Sequence, residues 1–133
     1  MEYSSEFYDS LKKPSITPSK QVFRNVWTVL YILLAVSFFI ILFSPNSIYK
    51  VLGLALFVVQ LILNLNWGIV FFLYKKIQTA LWICIALAIT VYCMTFLFLK
   101  VSILAGLLQL PYCIWLVLAI YLNYFIVREN PEI

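Results

Sequence analysis

The chain has 133 residues, of which 65% are hydrophobic and only 11% charged, with a mean hydropathy of +1.06 and a net charge of +4. A water-soluble domain carries roughly a quarter charged residues, so this composition excludes one and calls for an integral membrane protein. There is no histidine, and no Asp, Glu, Lys or Arg lies well inside an apolar run, which argues against proton-coupled transport and against nucleophile–base catalysis.

Residues 1–22 are mixed polar, with Glu2, Glu6, Asp9, Lys12, Lys13 and Lys20. They read as a cytoplasmic or interfacial segment, neither a signal peptide nor a span. Phe7, Tyr8 and Leu11 are expected at the interface as an anchor. Thr17 before Pro18 reads as a helix cap with proline at the first helical position. Four apolar runs follow, at about 26–43, 51–74, 79–99 and 103–127, each long enough for a membrane helix. The links are short: Ser44-Pro45-Asn46-Ser47, then Lys75-Lys76, then Lys100-Val101-Ser102. Short links force antiparallel neighbours. The expected fold is therefore all-α: one transmembrane domain over residues 1–133, with four membrane-spanning helices.

The basic residues set the orientation. Lys12, Lys13, Lys20, Arg24, Lys75, Lys76 and Arg128 fall on one side of the zigzag, Lys50 and Lys100 on the other. Both termini are expected to be cytoplasmic, in the cytoplasmic membrane of a bacterium. The positive charge hugs the membrane ends and forms no stripe, so no nucleic-acid partner is expected.

Within the runs, polar and aromatic residues recur at helical spacing. Gln60, Asn64, Trp67 and Phe71 stand at i, i+4, i+7 and i+11, on one face of the second helix. Phe23, Trp27, Tyr31 and Leu34 share a face of the first. Trp115, Ala119, Leu122 and Asn123 line the last, with Tyr112 one turn earlier. Amides in hydrocarbon need a partner or a cavity: they are either interhelical glue or the polar anchors of an apolar pocket. The third run offers only Trp82 and Thr90. Cys84 and Cys93 lie on opposite faces of that run; with Cys113 they read as buried small side chains, and no metal site is expected of them. Pro111 should kink the last helix, freeing the carbonyl of Leu107 and widening the bundle beside Tyr112 and Trp115.

These residues carry a family resemblance. Tyr8-x-x-Leu11-x-Lys13-Pro14-Ser15-x-Thr17-Pro18 followed by Phe23-x-x-x-Trp27-Thr28-x-Leu30-Tyr31 resembles the TspO/MBR proteins, the tryptophan-rich sensory proteins related to the mitochondrial translocator protein. Gln60-Leu61-x-Leu63-Asn64-x-x-Trp67 with Phe71-Phe72 resembles that family's central motif. Leu110-Pro111-Tyr112-x-x-Trp115-x-x-x-Ala119-x-x-Leu122-Asn123 resembles its last helix.

The resemblance implies a receptor or carrier that binds tetrapyrroles, such as protoporphyrin IX or haem, or sterol-like lipophilic molecules. The ligand would be held by Trp27, Tyr31, Gln60, Asn64, Trp67, Phe71, Tyr112, Trp115, Ala119, Leu122 and Asn123. It implies no obligatory cofactor and no metal, only a bound porphyrin or haem as ligand. It implies no enzyme, except in the loose sense of Trp-assisted photo-oxidative porphyrin breakdown. Leu122, Tyr124 and Arg128 fit a proposed sterol pattern that is weak and common at helix ends. The family usually has five spans, and the one before the Lys-Pro loop is not among these four. Either a span lies upstream in the natural product or this is a four-helix variant with one wall open. Ile16 stands where the family's loop often holds tryptophan, and the apolar run 80–84 stands where it often holds an acidic residue.

The alternative function is a small four-span dimeric drug exporter, disfavoured because such proteins use a membrane-embedded carboxylate. A purely structural assembly subunit is a third, with no feature in its favour. A homodimer is left open: Gly53, Gly68 and Gly106 form no GxxxG pair, so no dimer face is legible.

Overall fold

The computed structural model describes Asp9, residues 11–13, Thr17 and residues 19–130, which contain helices and turns and no strand. Phe7, Tyr8, Ile16 and Pro18 lie outside the described residues.

Helix α1 is Lys20–Leu42. Its cap is Ser19, whose hydroxyl accepts the Val22 N–H at 3.2 Å, and not Thr17 as the sequence suggested. Both are good caps by chemistry, but the residue whose oxygen reaches a first-turn N–H is Ser19. At the far end, Lys50 reaches back across the link. Its Nζ donates to the carbonyls of Leu42 and Ser44 at 2.9 and 2.8 Å and to Asn46 Oδ1 at 3.2 Å. A cation thus covers the carbonyl end of α1, where the helix dipole favours it.

Helix α2, Ile48–Gly68, starts on Ser47, whose Oγ accepts the Lys50 N–H at 3.1 Å. It runs straight into a π-turn, Ile69–Leu73. The wider turn lets the consecutive residues Phe71 and Phe72 both face inward, 2% and 5% exposed. The chain leaves through Lys75, in the left-handed region at φ 59°, and the Lys76 N–H closes on the Val70 carbonyl at 3.0 Å. That closure is one residue wider than the usual one over a left-handed residue, as the wider π-turn before it requires.

Helix α3 is Ile77–Val101. The last span is two helices, α4 (Ile103–Leu107) and α5 (Leu110–Glu129). This corrects the kink expected at Pro111. The proline sits in the first turn of a new helix, where its missing N–H costs no bond. Ser102 caps α4, accepting the Ala105 N–H at 3.3 Å.

Among the described residues, four segments are long and apolar enough to span a membrane: Gln21–Leu42, Ile48–Leu73, Ile77–Val101 and Ile103–Glu129. Their outer faces carry exposed Val29, Phe39, Ile62, Trp82 and Ile114. In water such a girdle would be untenable; in a bilayer it is the lipid face. The protein is an integral membrane helical bundle.

The backbones of α2 and α3 pack most closely, and α5 packs on α3. Gly53 marks the close approach of α2 and α3: a Cβ there would stand 3.1 Å from the Phe98 ring. Helix α1 approaches α4 and α2, pinned to α4 by the Ser37 hydroxyl, which donates to the Ala105 carbonyl at 2.9 Å. It meets α5 mainly through aromatic side chains.

The segment before α1 folds back onto the bundle. Leu11 is 5% exposed, part of the core and not an interfacial anchor. The Lys12 N–H donates to Asn130 Oδ1, and Asn130 Nδ2 donates to the Lys12 carbonyl, both at 3.3 Å. This pair holds the Lys12 segment and the end of α5 at the same face of the bundle.

Candidate ligand-binding site

The three predicted stripes converge on Trp27. Its indole is 2% exposed and ringed by Phe23, Tyr31, Trp67, Tyr112 and Trp115, all with centroids between 5.7 and 6.3 Å. The contacts with Phe23, Tyr112 and Trp115 are edge-to-face. Each such pair stabilises by about 0.5–1.5 kcal/mol beyond burial. The cluster adds to the contact of α1 with α2 and ties α1 to α5, where the two backbones make little contact.

A relay of hydrogen bonds crosses the same three helices. Tyr31 Oη donates to Asn64 Oδ1 at 2.6 Å, Asn64 Nδ2 donates to Tyr112 Oη at 2.7 Å, and Tyr112 Oη donates to Gln60 Oε1 at 2.9 Å. A second relay ties α2 to α5 and α3. Trp67 Nε1 donates to Asn123 Oδ1 at 2.9 Å, and Asn123 Nδ2 donates to the Ile77 carbonyl at 2.9 Å. The Asn and Gln side chains are therefore helix glue in this state. Interhelical bonds of this kind contribute only about 0.6 kcal/mol each on average, so the relays orient the site more than they stabilise it.

Among the described residues, three donors in the cluster have no partner: the indole N–H groups of Trp27 and Trp115 and the Nε2 of Gln60. All three are buried atoms. An unmatched donor in an apolar interior costs about 1–3 kcal/mol, so the site holds an unmet demand for acceptors.

Beside the cluster lies an apolar cavity walled by Phe23, Trp67, Phe71, Phe72, Trp115, Ala119, Leu122, Asn123 and Ile126. It measures only about 20 Å³. That is room for about one water, against the roughly 300–1,000 Å³ of a pocket for a drug-sized ligand. The side chains around it leave no room for such a ligand as they stand.

All eleven residues expected to hold a ligand are in this region. Trp27, Tyr31, Gln60, Asn64, Trp67, Tyr112 and Trp115 form the cluster and first relay; Phe71, Ala119, Leu122 and Asn123 wall the cavity. The sterol-pattern residues do not form one surface. Leu122 faces the cavity, whereas Tyr124 and Arg128 are exposed, with the Arg128 guanidinium 5.7 Å from the Phe125 ring. Three wall residues were not among the eleven: Phe23, read only as part of the first-helix stripe, Phe72, read only as part of a motif, and Ile126, which was not singled out. Phe72 turns inward only because of the π-turn, and Ile126 lies one turn beyond Leu122. The three thiols are free: Cys84 is buried and the half-buried Cys113 contacts Thr95 Oγ1 at 3.3 Å, but Cys93 is exposed on the lipid face of α3 and not buried as expected. Trp82 faces outward, 64% exposed.

The sequence model of the TspO/MBR family matches residues 1–128. The chain is 37% identical over 127 residues to Protein CrtK of Rhodobacter capsulatus, covering 94% of this chain and 79% of that protein. It is 34% identical over 131 residues to the tryptophan-rich protein TspO of Chlorobaculum tepidum, covering 96% and 82%. It is 30% identical over 126 residues to the human translocator protein, covering 93% and 75%.

Proposed function

The chain belongs to the TspO/MBR family of membrane sensory and translocator proteins, and from that premise we propose that it is a membrane receptor or carrier for flat lipophilic ligands. Tetrapyrroles such as protoporphyrin IX or haem are the class favoured. The observation that carries this is the pairing of ring faces with unmet donors. Five aromatic rings surround Trp27, and the N–H groups of Trp27, Trp115 and Gln60 have no acceptor. A flat conjugated ring satisfies the indole faces by stacking. Carboxylate or carbonyl oxygens at its edge satisfy the donors.

The chemistry is binding, not turnover. The side chains at the site offer surface and hydrogen bonds, with no charged group to move a proton. A cavity this small means that binding proceeds by displacing aromatic side chains, so ligand affinity is reduced by whatever that rearrangement costs. The basic residues near Lys12 and Lys75 orient that end of the bundle toward the cytoplasm. Titration of the purified protein with protoporphyrin IX, read by tryptophan fluorescence, tests the reading. Saturable quenching supports it; fluorescence that changes only in proportion to added porphyrin overturns it.

A further inference from the structure

Outside the inner cavity, between α1 and α5, runs a second depression of about 530 Å³. It is lined by Val26, Val29 and Leu30 from one helix and Pro111, Ile114 and Leu118 from the other, with Asn25 at its edge. Val29 and Ile114 belong to the exposed apolar girdle, so the depression opens to the hydrocarbon of the bilayer. Its size lies within the range of ligand pockets, unlike that of the inner cavity.

One residue lines both spaces. Trp115 walls the inner cavity on one side and the groove on the other. It is only half-buried, its contacts with Phe23 and Trp27 are ring-on-ring, and its indole N–H has no partner. No hydrogen bond fixes its rotamer. The helices it separates make little backbone contact. Turning this one ring joins the two spaces.

We infer that the α1–α5 groove is a lateral portal through which the lipophilic ligand passes between the bilayer and the inner site, with Trp115 as its gate. The inference rests on the proposed function for the identity of the cargo. It adds the route: the ligand partitions into lipid first, occupies the groove, and enters sideways as the indole swings.

A gate sets a barrier common to both directions, so obstructing it slows entry and exit together and leaves the equilibrium alone. The experiment measures protoporphyrin IX association and dissociation by stopped-flow tryptophan quenching, with the full chain in lipid nanodiscs. It compares wild type with Ile114→Trp and Val29→Phe, lipid-facing changes that fill the groove without touching the relays. Both rate constants should fall by about tenfold or more, with Kd unchanged within about twofold. Unaltered rates with normal affinity overturn the portal while leaving the proposed function standing.

A ligand-free arm keeps the two separable should porphyrin fail to bind. In a Trp82→Phe background, lipids brominated on the acyl chains should quench Trp115 fluorescence, and adding Val29→Phe should reduce that quenching. A Trp115 signal unaffected by brominated lipid overturns the portal whatever the cargo.

Discussion

Trp27 and Trp115 meet edge to face, ring centroids 6.3 Å apart and planes at 90°, and neither indole N–H has a partner. The pair joins α1 to α5 by ring contact alone. Elsewhere in the site the helices are tied by directional bonds, as in Tyr31–Asn64–Tyr112. The weakest-tied corner of the site is therefore its α1–α5 corner, and it is where opening costs least.

Asn64 is the centre of the first relay, bonded to Tyr31 on one side and Tyr112 on the other. Asn64→Ala strands groups on both. The folded protein should lose about 1–2 kcal/mol, with the membrane setting tempering the cost. Thermal unfolding in a fixed detergent checks this. No change would mean that both tyrosines find other partners.

Asn130 closes the Lys12 segment onto α5 by two hydrogen bonds. Asn130→Ala should release that segment while leaving the spans intact. Hydrogen exchange at the Lys12 amide should rise, and the loss should be about 0.5–1.5 kcal/mol per bond. Protection equal to wild type would contradict the tether.

A Cβ at Gly106 would stand 2.3 Å from Leu99 Cδ2 and 3.0 Å from Leu99 Cα, so backbone as well as side chain must yield. At Gly53 the nearest atoms, 3.1 Å away, belong only to the Phe98 ring. Gly106→Ala should therefore destabilise by about 1–3 kcal/mol, and Gly53→Ala by less. Comparing the two melting temperatures decides it; the reverse order would contradict the packing at the α3–α4 turn.

The contact between Lys12 and Asn130 puts the two ends of the described chain on one side of the membrane, and from the basic residues we propose that this side is cytoplasmic. A reporter enzyme fused after Ile133 should be active only in its cytoplasmic form. Activity of an externally active reporter would reverse the orientation.

Much of this was legible in the sequence because helical period is local. The stripes Gln60–Asn64–Trp67–Phe71 and Tyr112–Trp115–Ala119–Asn123 name one face each whatever the helices pack against. What pairs with what was not legible. Asn64 with Tyr112, or Trp67 with Asn123, depends on how each helix is rotated, and separations of 48 and 56 residues carry no local signal. The π-turn after Gly68 left no period to detect, so Phe72, noted only as part of a motif, was not expected in the wall. Pro111 was recognised as a disturbance, but whether a proline kinks a helix or opens a new one depends on the turn before it. Leu11 read as interfacial because its burial is supplied by the fold and by Asn130 beyond the last span. That the cavity is small is a property of packed volume, which no spacing encodes.

The central claim is that a flat lipophilic ligand is held by this particular cluster and not by bulk apolarity. The direct measurement is the protoporphyrin IX affinity of Trp115→Phe beside that of Trp82→Phe, each verified as folded. Trp115 lies in the cluster and Trp82 faces lipid, so the same substitution is made inside and outside the site. The account predicts that Trp115→Phe weakens binding by at least about fivefold, equivalent to about 1 kcal/mol, while Trp82→Phe leaves it unchanged. Equal affinities in the two variants would contradict it and leave the aromatic and amide cluster as helix packing alone.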